Sequence, residues 1–194
     1  MMQETALMNI EPRSSTSKGA NKLLRKNGYI PGNIFGKGID SISIAVRRDE
    51  FRKSLKDYGR NAVFKLVTPN GEEYTVMAKE LHIAPIINEL SHVDFQLVSL
   101  TEGVKQDVVI KIVGTEFLES KRLLLNSHVD IIPVFGLPHD IPHEIEIDVS
   151  KLNSGDGVLF KDIKLPEGIT SEIDPELKII SIKGARTREA AVGE

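Results

Sequence analysis

A chain of 194 residues, 40% of them hydrophobic, can bury a sizeable core and is sized for one or two domains. It has no cysteine, which excludes disulfides, thiolate nucleophiles and cysteine-based zinc sites, and no apolar run approaches the length of a membrane span. The net charge of −3 hides two unlike halves: residues 1–98 carry 14 Lys and Arg against 11 Asp and Glu, and the remainder carries 11 against 17. From Arg13 to Lys65 the imbalance reaches 13 basic to 4 acidic residues, so the first half is the one suited to an anionic partner. MMQETALMNIEPR has no basic segment leading into a long apolar core, and a soluble, cytoplasmic protein is expected.

In chain order, Met8 and Ile10 suit a first strand that Pro12 closes. SKGANKLLRKNG, from Ser17 to Gly28, then reads as a short helix with Ser17 as N-cap and Gly28 and Pro31 as its stop. At 100° per residue Lys18, Asn21, Lys22 and Arg25 share one face, and Ala20, Leu23 and Leu24 share the other, which is expected to pack on the domain. Such a face is either a solvated helix surface or a site that displaces counterions from a polyanion. Pro31-Gly32 reads as a turn, Asn33 to Phe35 as a short strand between glycines, and Ile42, Ile44 and Val46 as one side of a half-buried strand. Asp49 is a candidate cap for an amphipathic helix carrying Phe51, Leu55 and Tyr58. Residues 62–68 and 73–81 form a hairpin about Pro69-Asn70-Gly71, whose Asn-Gly pair tolerates positive φ. Pro85 interrupts, and SHVDFQLV, residues 91–98, is a strand with Val93, Phe95 and Leu97 on one side and His92, Asp94 and Gln96 on the other.

A boundary is expected within residues 99–103. Beyond it the strand signals are residues 107–113, 129–134, 144–149 and 177–183, punctuated by Pro133, Pro138, Pro142, Pro166 and Pro175, which argues against long central strands. Leu123 to Leu125 reads as core. The tail from Ala185 should fray. The expected domains are therefore residues 1–98, residues 99–184 and a frayed 185–194.

No catalytic constellation emerges. His139 and His143 are four apart, but Pro142 opposes the helix that would align them on a metal. The glycines of GNIFGKG match neither a phosphate loop nor a dinucleotide fingerprint. Neither an enzyme nor a cofactor is expected, nor a small-molecule substrate. A binding surface fits better: Arg13 and the helix cations position phosphates, while Asn21, His92 and Asp94 face base edges or ribose hydroxyls, provided the 91–98 strand lies beside the first. Asp94 repels phosphate unless it accepts from an amine or a 2′-hydroxyl, which points to specific RNA contact; the other reading is a structural hydrogen bond to His92. Phe35 is either a stacking platform or core.

KGANKLLRKNGYIPGNIFG, followed by SHVDF, resembles the bacterial large-subunit ribosomal protein family twenty-five, the 5S rRNA binders. The continuation resembles the long, two-domain form also called general stress protein CTC. The motifs are Gly19, Leu24-Arg25, Gly28 and Pro31 at family spacing, and the H-x-D-F of His92 to Phe95. The resemblance implies a mainly β protein with a few helices: an N-terminal six-stranded antiparallel β-barrel that docks on the loop E region of 5S rRNA, then a β-rich C-terminal domain of undefined role. It implies ribosome association in the cytoplasm, with neighbouring ribosomal proteins as partners of the second domain. Carried over, the RNA contacts are Arg13, Lys18, Asn21, Lys22, Arg25, Phe35, Lys79, His92 and Asp94, which include about five phosphate contacts. Leu23 stands where a second arginine is common, and FLESKRLL, residues 117–124, departs from the family's glycine-rich loop. The rival readings are a translation or stress factor on another structured RNA, such as a tRNA anticodon arm, and a protein-interaction module acting through the acidic half.

Overall fold

The computed structural model describes residues 6–86 and 88–184, so the expected frayed tail lies outside the described residues. Two compact units are present: the chain up to Asp107 with Val134–His143 and Pro166–Thr170, and Val108–Pro133 with Glu144–Leu165 and the chain from Ser171. Gln106, in the first unit, is buried, and its amide donates to the Asn61 side chain at 3.2 Å and to the Ala78 carbonyl at 2.8 Å.

In the first unit β1 (Ala6–Pro12) leads to α1 (Lys18–Lys26), β2 (Tyr29–Gly36), β3 (Ile39–Arg47), α2 (Arg48–Tyr58), β4 (Val63–Val67), β5 (Glu73–Ala84) and β6 (Glu89–Leu97). The six strands close into a barrel in the order β1-β3-β2-β6-β5-β4. Its pairing is mixed where an antiparallel barrel was expected, because the β1–β4 and β2–β6 junctions are parallel. Period-two burial writes the interior: Met8, Ile10, Ile34, Ile44, Phe64, Leu66, Val93 and Phe95 point inward, and α2 adds Phe51. The rings of Phe51, Phe64 and Phe95 meet at centroid distances of 5.5–6.2 Å, tilted or edge-on, in the middle of this core.

Local expectations are met in part. Ser17 caps α1, its hydroxyl accepting from the Ala20 N–H, and Gly28 leaves the helix at φ +84°. Pro31-Gly32 is not a turn but part of β2. Pro31 pairs with Ala45 of β3, while the ladder to β6 begins only at Gly32, so Pro31 has a strand neighbour on one side alone. Gly32 is needed for approach, not for a bend: a Cβ there would lie 2.6 Å from the Val93 carbonyl oxygen. Helix α2 starts at Arg48 with Arg47 as N-cap, placing Asp49 in the first turn instead of at the cap, where its charge still complements the helix dipole. The β4–β5 hairpin forms, but over residues 68–72 with only Gly71 at positive φ, so it is not a two-residue Asn-Gly turn. Helix α1 buries no residue and Leu23 is 60% exposed, contrary to the expected leucine packing.

The second half continues with β7 (Val104–Val113), α3 (Thr115–Ser120), β8 (Leu123–Ser127), β9 (Ile131–Gly136), β10 (Glu144–Asp148), β11 (Gly157–Leu159) and β12 (Lys178–Gly184). They form the sheets β10-β7-β9 and β11-β12-β8. A long central strand does exist, the proline-free, ten-residue β7, while Pro133 sits in the edge strand β9. Leu123 to Leu125 lie on edge strand β8, where alternation leaves Leu124 exposed, so this triplet is only half core. Helix α3 begins at Thr115 and ends inside FLESKRLL, and was not foreseen.

Replacing Phe51 by Ala removes the shared partner of two other buried rings and is expected to destabilise the protein by about 3–5 kcal/mol. Leu23→Ala is expected to cost less than about 0.5 kcal/mol. Urea unfolding of the two variants measures the contrast.

Candidate nucleic-acid interface

Outward-facing residues of β2, β5 and β6 form one strip. The register sets Asn33 beside Asp94 and Phe35 beside Gln96 across β2–β6, and Glu80 opposite Asp94 and His82 opposite His92 across β5–β6. Asp94 is the hub. Its Oδ2 lies 3.2 Å from His92 Nδ1 and 3.5 Å from His82 Nε2, and its Oδ1 accepts from Asn33 Nδ2 at 3.4 Å. Ser43 on β3 donates to Asn33 Oδ1 at 3.3 Å, extending the polar strip by one strand. The structural reading of Asp94 is seen directly: it pairs with His92, and its carboxylate stays partly open to solvent, at 22% side-chain exposure.

Helix α1 is tied beside this strip by arginines. Arg48 donates to the Arg25 carbonyl at the open end of α1 and pairs with Glu89 at 2.9 Å. Arg25 Nε donates to the Ser91 carbonyl at 2.9 Å, one residue before His92. Arg13 donates to Asn21 Oδ1 at 2.5 Å and to the Gly32 carbonyl at 3.2 Å. Anchoring of α1 comes from these guanidinium groups, and Arg48 also satisfies a carbonyl at the helix end that has no intrahelical partner. The surface is continuous because β6 lies beside β2, not beside β1 as the sequence reading required.

The nine sequence-predicted residues are not equivalent. Lys18 and Lys22 are exposed, and neither has a partner among the described residues. Arg13, Asn21 and Arg25 engage at least part of their donors inside the protein, and Arg13 has a lowered pKa through burial and then through the nearby Arg25 charge. Phe35 faces outward, 38% exposed, and is not core. Lys79 is set apart: it occupies a bulge in β5, and its ammonium donates to the Lys105 carbonyl at 2.8 Å. His82, Asn33 and Ser43 were missed. Asn33 alternates with the inward Ile34, a signal that could have placed it; His82 is brought in by hairpin register, with bulges on either side of residues 80–82. His139 and His143 lie in the irregular segment between β9 and β10, as Pro142 implied.

Burial lowers the His92 pKa most; Asp94 opposes this, and His82 and Arg13 add to the lowering. His92 is therefore a neutral imidazole at neutral pH, and with its Nδ1 proton toward Asp94 it presents Nε2 as an acceptor. The unfolded chain takes up this proton before the folded one as the pH falls. The contribution to stability is thus whole above about pH 6.5 and is withdrawn as the pH drops through the lower folded value. His92→Gln is expected to lose less melting temperature than the parent between about pH 7.5 and pH 5, as thermal unfolding at the two pH values reports.

The family described as the Ribosomal L25p family matches residues 8–95, and the C-terminal domain of ribosomal protein TL5 matches residues 103–186. A large ribosomal subunit protein bL25 from Lachnoclostridium phytofermentans is 74% identical over 193 residues, covering 100% of both chains. Its counterpart in Caldanaerobacter subterraneus is 35% identical over 94% of this chain and 93% of its own. That of a Thermoanaerobacter species is 33% identical over 91% and 88%. With a closed six-stranded barrel under the first match and β sheets under the second, this chain belongs to the bL25 family of ribosomal proteins, a structural and not an enzymatic family.

Proposed function

We propose that this protein is a component of the large ribosomal subunit, hence cytoplasmic, that binds 5S rRNA in its loop E region through α1 and the outward strip of β2, β5 and β6. The observation that carries the reading is the juxtaposition of unpartnered cations, Lys18 and Lys22, with a fixed polar group, Asn33–Asp94–His92. Cations hold phosphates without regard to sequence; an acceptor-rich carboxylate and imidazole discriminate, because they favour amine and 2′-hydroxyl donors and disfavour bare phosphate. Wide, shallow A-form minor grooves present such donors, and the exposed face of Phe35 is suited to stacking on an unpaired base. Residues 1–98 carry this site in our reading, and the second domain, residues 99–184, meets neighbouring ribosomal proteins. The 74% identity to a large-subunit protein over the whole chain supports the ribosomal assignment.

With Arg13 and Lys79 bonded within the protein, the phosphate contacts reduce to Lys18, Lys22 and the remaining N–H groups of Arg25, and the salt slope of log K becomes about −2 to −3. Filter binding of the full chain to 5S rRNA, with and without an intact loop E, at two salt concentrations, measures both slope and discrimination. Lys22→Ala is expected to shallow the slope by about one and leave loop E preference intact. Asp94→Ala is expected to leave the slope and lose about tenfold or more of the preference. Equal affinity for both RNAs, or tighter binding to a tRNA anticodon arm, would overturn the reading.

A further inference from the structure

The outward grid on β5 and β6 has a property that RNA contact does not require. His82 and His92 face each other across the strands, Glu80 and Asp94 do the same one step along, and a ring nitrogen of each histidine lies near Asp94 Oδ2. Their ring centroids are 5.7 Å apart with an interplanar angle of 61°. One ligand atom from each of His82, His92 and Asp94 falls within 4.8 Å of the other two. We propose that His82, His92 and Asp94 form a binding site for a divalent late-transition-metal ion of the zinc class, with Glu80 or water as fourth ligand.

The spacing is that of a coordination shell. Ligands about 2.0–2.1 Å from a tetrahedral ion sit about 3.3 Å from one another. Asp94 Oδ2 lies 3.2 Å from His92 Nδ1 and 3.5 Å from His82 Nε2, and Glu80 Oε1 is 3.7 Å from the same His82 nitrogen. Asp94 Oδ2 thus stands near coordination-shell distance from a nitrogen of each imidazole, and all three ligand atoms lie within 4.8 Å of one another, so side-chain rotation closes them on one ion. Support around the ligands is also in place: Asn33 holds Asp94 Oδ1, which leaves Oδ2 to the ion, and Ser43 in turn holds Asn33. The bulges on either side of residues 80–82 fix the outward aim of Glu80 and His82. Ligand chemistry selects the ion. Two imidazoles and one carboxylate suit zinc and its neighbours, whereas magnesium and calcium take oxygen shells. Side-chain exposures of 25% for His92 and 49% for His82 make the site reachable from solvent, so the bound ion exchanges. On binding, the His92 proton that faces Asp94 moves to Nε2, and the ion takes its place at Nδ1.

The site shares His92 and Asp94 with the RNA reading, but its test needs no RNA. The untagged full chain is titrated with Co2+, whose four-coordinate nitrogen and oxygen complexes absorb visibly, and the signal is then chased with Zn2+. One equivalent is expected to saturate the signal and Zn2+ to abolish it. His82→Ala and Asp94→Ala each remove a ligand and are expected to weaken binding by at least about 100-fold, since loss of a mere supporting contact costs about 10–100-fold. His128→Ala and His139→Ala are expected to bind as the parent does. Because a variant can lose its fold, the imidazole nitrogen resonances of the parent are followed as well: Zn2+ should shift those of His82 and His92 and spare those of His128 and His139. No saturable uptake, binding unchanged in His82→Ala, or shifts at other histidines would overturn the site.

Discussion

The parallel junction of β2 with β6 is the contact on which the candidate surface depends. It closes the barrel, and it does so at very short range, because Gly32 brings its backbone against the Val93 carbonyl where no side chain fits. That approach sets two registers at once. Inward, Ile34 and Phe95 enter the core together; outward, Asn33 meets Asp94. The polar strip and the hydrophobic core are thus two sides of one pleat, and neither can shift by a residue without inverting the other.

The arginines of the first unit divide by role in a way that charge counting conceals. Arg13, Arg25 and Arg48 each donate to a backbone carbonyl, and together they hold α1 to β2 and β6. Their planar groups reach one helix-end carbonyl and two strand carbonyls in a geometry that a lysine would serve less well. The lysines of the same helix stay in solvent. A basic face therefore comprises a structural layer underneath and an ionic layer on top, and only the second is free to meet a partner.

Much of this was legible in the sequence. Alternating apolar residues gave the strands of the barrel, Ser17 and Gly28 bounded α1, and the histidine and aspartate of H-x-D-F fell on one strand face by parity alone. What escaped depended on pairing. Pro31-Gly32 carries the residues of a turn, yet strand neighbours on β3 and β6 overrode that local preference. The expectation of an antiparallel barrel missed two parallel junctions. Leu23 looked like core because helical periodicity ranks faces by polarity, and it has no means of knowing that guanidinium groups would do the anchoring. His82 is invisible in the linear pattern, since a bulge at Lys79 breaks the alternation that would have assigned it to a face. Beyond Val104 the strands were found but the short α3, β8 and β11 were not, as their signals span too few residues to show a period.

Strand order carries a consequence for how the chain acquires its surface. β2 finds its parallel partner only in β6, with Gly32 against Val93, and β1 waits for β4. Contacts so distant along the chain require large loops to close before they yield any stabilisation, which makes barrels of this kind slow to fold compared with helical proteins of equal size. During synthesis the cationic helix is the first landmark to emerge, whereas His92 and Asp94 arrive on the last strand. A nascent chain short of Leu97 carries the cations of α1 without a completed polar strip, and Asp94 meets Asn33 only when β6 slots beside β2.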